Sequence, residues 1–167
     1  ASLSLFCYSC KNNNDKKAPQ LTNRDISNVI TQMSEIMVHD ITNPPLAARF
    51  FAYTCLAGYE VTAQNSKDIK TMHGLLNEYP VINKPDSLEA YSAELASVLA
   101  MLETAKRMQP SGMQLTKYEE DWLDSCRSIG FDEEIIEQSK KYALAISNQI
   151  LAYAKADHYN QISNLTR

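Results

Sequence analysis

Few residues in this chain have the type and spacing to do chemistry, and the most ordered of them form one stripe. The segment Leu46-Ala47-Ala48-Arg49-Phe50-Phe51-Ala52-Tyr53-Thr54-Cys55-Leu56-Ala57-Gly58-Tyr59-Glu60 is apolar almost all round. Read as a helix at 100° per residue, it places Arg49, Tyr53, Leu56 and Glu60 on one narrow face. Charges on a buried helix cost several kcal/mol unless they find partners. The stripe therefore reads as a structural network of ion pairs and hydrogen bonds; the alternative is a wall of an anion or substrate pocket. Arg49 and Glu60 lie three turns apart, about 16 Å along the axis. They cannot pair with each other, so each needs a partner of its own.

Other candidates dissolve when their spacing is considered. His39, His73 and His158 have no second His or Cys at ligand distance in sequence, and no His-Glu-x-x-His occurs. They read as surface or capping residues. Glu119-Glu120 and Glu133-Glu134 fall in first helical turns, where negative charge suits the helix dipole, and not as an acid/base pair. No serine sits in a nucleophile elbow. With four glycines in the chain, there is no phosphate loop and no dinucleotide fingerprint. Met33, Met37, Met72 and Met101 follow helical spacing as core filler. No catalytic, cofactor-binding or metal-binding residue is assigned within the chain.

The elements that must hold the stripe are helices. The chain has 167 residues, enough for one domain with a real core. Its net charge of −4 and pI of about 5.4 argue against a nucleic-acid partner. Alternating β-branched runs are missing, and periodicity predicts six helices. Helix one runs from Asn23 to Val38, and helix two follows the Pro44-Pro45 start, capped by Thr42 or Asn43. Ser66 opens helix three, which Pro80 stops. Helix four starts at the box Asp86-Ser87-Leu88-Glu89 and runs to Arg107. Helix five starts at Thr116-Lys117-Tyr118-Glu119, and Gly130 ends it in a left-handed conformation. Helix six is capped by Asp132 and reaches His158, with Ile135, Ser139, Tyr142, Ile146, Ile150, Tyr153 and Asp157 facing inward. The expectation is an all-α, six-helix antiparallel bundle over residues 22–167. Helix two expects cover on every side. Five ordinary amphipathic helices do not close over it, which suggests the N-terminal half of a larger helical fold.

Residues 1–21 read as a separate segment. Leu3-Ser4-Leu5-Phe6-Cys7-Tyr8-Ser9-Cys10 is a short apolar run, and Lys11 to Lys17 is a polar tether. This resembles the tail of a bacterial lipoprotein signal peptide, with Cys10 as the residue lipidated after cleavage. The resemblance implies attachment to a membrane through an N-terminal lipid and a periplasmic or cell-surface location. Two other readings stay open: an unremarkable signal or tag remnant, and a Cys-x-x-Cys metal or redox pair. Against the last, Cys55 and Cys126 stand singly in predicted helices and complete no four-ligand zinc set.

The run Asp40-Ile41-Thr42-Asn43-Pro44-Pro45-Leu46-Ala47-Ala48-Arg49, with Tyr53 and Ala57-Gly58-Tyr59-Glu60, resembles the N-terminal helical part of lipoprotein-type vanadium-dependent haloperoxidase relatives in the type 2 phosphatidic acid phosphatase superfamily. Helix six, with Ser139, Tyr142 and Asp157-His158-Tyr159, is similar to the region that follows there. The resemblance spans Asn23 to Arg167. It implies chemistry in three motifs: lysine, six residues, then arginine-proline; proline-serine-glycine-histidine; and serine-arginine, five residues, histidine, three residues, aspartate. Together these cradle phosphate or vanadate, with one histidine attacking phosphorus or binding vanadium and another acting as acid/base. This chain has no Arg-Pro dipeptide, and Pro110-Ser111-Gly112-Met113 has methionine where the histidine belongs. No catalytic residue carries over. The resemblance implies a supporting segment of a phosphatase- or haloperoxidase-like enzyme, with vanadate, where used, bound outside this segment. Its partner is then a missing C-terminal half, or a second copy, against the apolar face. The alternative is a secreted helical binding or interaction lipoprotein without catalytic activity.

Overall fold

A computed structural model describes residues 19–162, whose regular secondary structure is all helical. In chain order they form α1 (Asn23–His39), α2 (Pro44–Gln64), α3 (Ala93–Met108), a 3-10 turn (Gly112–Gln114), α4 (Leu115–Ile129), α5 (Glu133–Ala156) and the single turn α6 (Tyr159–Ile162). Thus five helices longer than one turn are present among the described residues, against six expected. The proposed lipidation residue, Cys10, lies outside the described residues.

The centre of the molecule is α3. Every residue from Leu95 to Leu102 is buried, as are Thr104 and Ala105. Both α2 and α5 pack along it, with α1 and α4 against it more lightly. Small side chains make the close approach possible. Gly58 of α2 meets Met101 and the Ser97 carbonyl, and the Ser97 hydroxyl donates to the Gly58 carbonyl at 2.6 Å. On the other side the Thr104 hydroxyl donates to Ser147 Oγ of α5 at 2.9 Å. The enclosed helix is therefore α3, which sequence reading treated as amphipathic. On α2, Ala48, Ala52, Cys55 and Thr62 remain exposed. Ala, Ser and Thr in α3 carry too little hydropathy to announce full burial, whereas the aromatic and leucine content of α2 overstates its own.

The expected third helix is absent. Residues from Ser66 to Tyr79 run as turns and bends over the ends of α2 and α5. Leu75 and Leu76, large apolar side chains that a packed helix would turn inward, are exposed. Gly74 and Glu78 both adopt left-handed backbone conformations, which a helix forbids. Side chains of the neighbouring helices satisfy the backbone instead: Glu60 takes the Met72 N–H, and Tyr59 and Tyr153 donate to the Lys70 and Asn77 carbonyls.

One start moves and another lacks its expected cap. The Asp86–Glu89 box does not open a helix; α3 begins seven residues later, where Ser92 accepts from the Leu95 N–H. Residues before it are pinned to α5, with the Ser92 N–H donating to Ser139 Oγ and Lys141 to Ser87. The start of α4 has no side-chain cap, and Glu119 of the expected box pairs with Lys106 of α3 instead. By contrast, α1, α2 and α5 fall within a few residues of expectation, and Gly130 ends α4 at φ 109°.

Candidate functional site

The polar stripe of α2 faces the C-terminal end of α5 and the 66–79 connection. Arg49 donates from Nε to Asp157 Oδ2 at 2.7 Å and from Nη2 to the Ala154 carbonyl at 2.6 Å. Its guanidinium also lies over the rings of Tyr53 and Tyr159, 5.2 and 5.3 Å from their centroids. Asp157 directly follows the last residue of α5 and accepts three further interactions of position: from the Tyr53 hydroxyl at 2.9 Å, from the Tyr159 N–H at 2.9 Å, and weakly from Arg49 Nη2. Arg49 and Asp157 are thus mutually held, each about four-fifths buried.

Burial alone would raise the Asp157 carboxyl, but hydrogen bonds from Arg49, the Tyr159 backbone and Tyr53, with the Arg49 charge, hold it below the usual carboxylate range. The same arrangement pushes the Tyr53 phenol up to about 12, through burial first and the neighbouring Asp157 second. Tyr53 is therefore a fixed hydrogen-bond donor at neutral pH and not a proton shuttle.

From Tyr53 an aromatic ladder leads to Glu60. Tyr153 stands edge-on to both Tyr53 and Tyr79, at centroid distances of 5.9 and 4.9 Å. Glu60 is fully buried and accepts from the Met72 N–H at 2.9 Å. Its second oxygen and the buried Tyr79 hydroxyl each lack a partner in hydrogen-bonding geometry. Burial first, and the Glu60 charge second, push the Tyr79 phenol far above its ordinary value. The stripe therefore ends in a carboxylate that ties the 66–79 connection to α2.

A cleft of about 380 Å³ opens beside this network, lined by Asn77, Glu78, Tyr153, Ala156, Asp157 and His158. Its lining holds one histidine and no lysine or arginine, whereas the cradle that the resemblance implies gathers cationic side chains around a histidine. Arg49 is engaged by Asp157, a carbonyl and two ring faces. The histidines are apart: His39 ends α1 beside Asp40, His73 bonds the Tyr79 carbonyl, and His158 follows α5. The lining of this cleft does not fit vanadate or phosphate. Nor is there a group of three or more His, Cys, Asp or Glu able to hold a metal ion among the described residues. Pro110-Ser111-Gly112 makes a tight corner after α3: the Ser111 N–H and hydroxyl both donate to Asp40, and Gly112 packs on the Lys106 carbonyl.

Sequence reading had Arg49, Tyr53 and Glu60 on one face, and Tyr153 and Asp157 on the inner face of the last helix. It had no signal that these two faces meet. Tyr79 was assigned to a helix that does not form, and a backbone N–H such as that of Met72 carries no sequence signature as the partner of a buried acid.

The fold has a counterpart in a solved structure. The chain is similar to a bacterial vanadium-dependent iodoperoxidase, with a TM-score of 0.81 and 28% identity over 89% of this chain. The match covers 36% of the iodoperoxidase chain, so this chain spans about a third of that protein's length. The helical segment thus has a haloperoxidase-like fold. No protein-family model and no curated protein matches the chain.

Proposed function

We propose that this chain is the N-terminal supporting segment of a phosphatase- or vanadium haloperoxidase-like enzyme of the type 2 phosphatidic acid phosphatase superfamily. Its phosphate- or vanadate-binding motifs lie outside this chain. One observation carries the reading: likeness to a vanadium-dependent iodoperoxidase runs over nearly the whole of this chain but over only a third of that enzyme. The segment's work is mechanical. Its Arg49–Asp157 and Glu60–Met72 ties hold α2, α5 and the 66–79 connection as one rigid face on which the remainder of an enzyme can be built. On the same reading residues 1–21 form the lipoprotein leader and tether, residues 22–167 the helical domain, and a lipid on Cys10 holds the protein at a periplasmic or cell-surface membrane. The partner of the segment is then the C-terminal part of its own polypeptide.

The test is the reading frame beyond Arg167. The full polypeptide it encodes is to be assayed for phosphate-ester hydrolysis and, with vanadate and peroxide, for iodide oxidation. Turnover by the long form and none by this chain is the expected result. A frame that closes at Arg167, or a long form silent in both assays, favours the helical binding lipoprotein instead.

A further inference from the structure

The stretch that leads into α3 plays no part in the network just described. No side chain of residues 83–92 is buried. Pro85 has no N–H to give a helix, and it biases Lys84 before it to extended backbone. What holds the stretch is a clamp at each end, made by a side chain of α5 on the backbone. At one end the Asn83 N–H donates to Gln149 Oε1, and the Asn83 carbonyl accepts from Gln149 Nε2, both at 2.8 Å. At the other end the Ser92 N–H donates to Ser139 Oγ at 3.0 Å. Between them Lys141 donates to the Ser87 carbonyl at 2.8 Å. Ties of this kind fix the path of a chain without burying it, and such segments stand at the low end of local stability.

Lys84 and Tyr91 stand next to the two clamps, and they meet. The Lys84 ammonium donates to the Tyr91 hydroxyl and lies 4.4 and 5.4 Å from the ring centroids of Tyr91 and Tyr142. The two rings are edge-on at 5.3 Å. The Tyr91 hydroxyl gives its own proton to Asn65 Oδ1 at 2.6 Å, so towards Lys84 its oxygen can only accept. Asn65 Nδ2 donates to the Tyr142 hydroxyl at 3.1 Å, and that hydroxyl donates to Gln64 Oε1 at 2.7 Å. Every hydrogen along this path points away from the lysine, the polarity that a cation at its head sets. Lys84 enters no ion pair among the described residues, so this cradle is the partner of its charge.

We infer that residues 83–92 form a strap that lifts from α5 as one unit, with the Lys84 ammonium as its catch. Lys84 follows Asn83 in sequence and Tyr91 precedes Ser92, so their contact joins the two clamps into one. A neutral side chain in place of Lys84 gives up the hydrogen bond to Tyr91 and the attraction to both rings, and the clamps are then held by their own bonds alone. When the strap lifts, Lys84 and Tyr91 leave Tyr142, which is fully buried while the strap is closed. The cover on this side of α5 therefore depends on the charge of one side chain in a segment that buries none.

Amide exchange at Asn83 and Ser92, followed by NMR in this chain, tests the strap. The two amides should share one opening constant, roughly a hundredfold or more above that of Leu99 in the middle of α3. Lys84→Met keeps most of the side-chain length and removes the charge. It should raise the constants of Asn83 and Ser92 by the same factor, roughly five- to tenfold. Lys84→Arg keeps a charged donor and should leave both within about twofold of the parent. Exchange in Lys84→Met equal to that of the parent, or exchange in Lys84→Arg as fast as in Lys84→Met, overturns the charged catch. A rise at Asn83 alone shows that the clamps open separately and overturns the single unit. Opening constants of Asn83 and Leu99 that coincide in the parent show that the stretch opens only with the whole fold, which overturns the strap.

Discussion

Asp157 shows how one carboxylate can tie together groups over a hundred residues apart in sequence. Arg49, Tyr53 and the start of α6 converge on it. Because its folded pKa lies below the ordinary value, its contribution is complete above the unfolded carboxylate value of about 4 and is lost as pH falls through the lower folded value. Asp157→Asn should therefore cost about 1–3 kcal/mol at pH 7, and the gap to the parent chain should close as urea titrations are taken down towards pH 2. A gap that does not change with pH would mean that the carboxylate acts by shape and not by charge. Glu60 presents a different case. Glu60→Leu leaves the Met72 N–H unpartnered in the interior and should cost about 2–3 kcal/mol. Glu60→Gln retains an acceptor for it and adds a donor towards Tyr79, so its unfolding midpoint should stay close to that of the parent chain. Ile41 is the third instance. The Thr42 N–H bonds the Met37 carbonyl and the Ile41 N–H the Val38 carbonyl, a Schellman closure of α1. Its left-handed position is held by a β-branched residue at φ 49° that is 91% exposed. Ile41→Gly should raise stability by about 1 kcal/mol, because strain is relieved and no buried contact is given up.

The helices are joined closely enough that two glycines act as spacers. A Cβ on Gly58 would press on Met101 Cγ at 2.8 Å, the middle of a flexible side chain. A Cβ on Gly112 would collide with the Lys106 carbonyl, which is backbone and cannot yield. Gly58→Ala should therefore cost less than Gly112→Ala, the first being offset by up to about 1 kcal/mol of gained helix propensity. The second should cost about 3 kcal/mol, as overpacking does. Thermal unfolding of the two variants side by side checks the order, and a reversal would show that the α2–α3 contact is the stiffer one. Gly58 is announced by no turn motif, whereas Gly112 stands in the turn-like run Pro110-Ser111-Gly112. Gly130 is announced as a helix end, since it follows a complete helical period and ends α4 in the left-handed conformation.

At the scale of the whole molecule, Ala48, Ala52 and Cys55 of α2 are exposed, and a cleft of about 480 Å³ opens beside Thr62 near the end of that helix. A neutral hydrophobic dye should bind this chain saturably, and Ala52→Arg should weaken that binding several-fold without lowering the unfolding midpoint. Binding unaffected by Ala52→Arg would place the apolar surface elsewhere. The proposed lipid on Cys10 is a separate matter: on that reading Cys10→Ser should shift the protein from the detergent phase to the aqueous phase, as loss of a lipid anchor does. Unchanged partitioning would remove the lipoprotein reading while leaving the helical fold untouched. No helix among the described residues is long and apolar enough to cross a membrane.

The sequence by itself determined the all-α class, the bounds of α1 and α5 to within a few residues, the start of α2, the stop at Gly130, and the shared face of Arg49, Tyr53 and Glu60. These follow from periodicity, proline and glycine chemistry, which act over three or four residues and are therefore written locally. The tertiary structure alone decided what that face meets. Whether Ser66 to Tyr79 coils or not depended on Glu60, Tyr59 and Tyr153 offering its backbone better partners than a helix would. Whether α2 or α3 lay at the centre depended on which helix had neighbours on both sides. Leu88 and its surroundings read as a helix start, yet they stay outside any helix, tied to α5 through Ser139 and Lys141. Each of these outcomes is a competition between a local preference of a few tenths of a kcal/mol per residue and a buried hydrogen bond of about 1 kcal/mol or more. The second belongs to residues distant in sequence, so it comes into being only when the chain has folded.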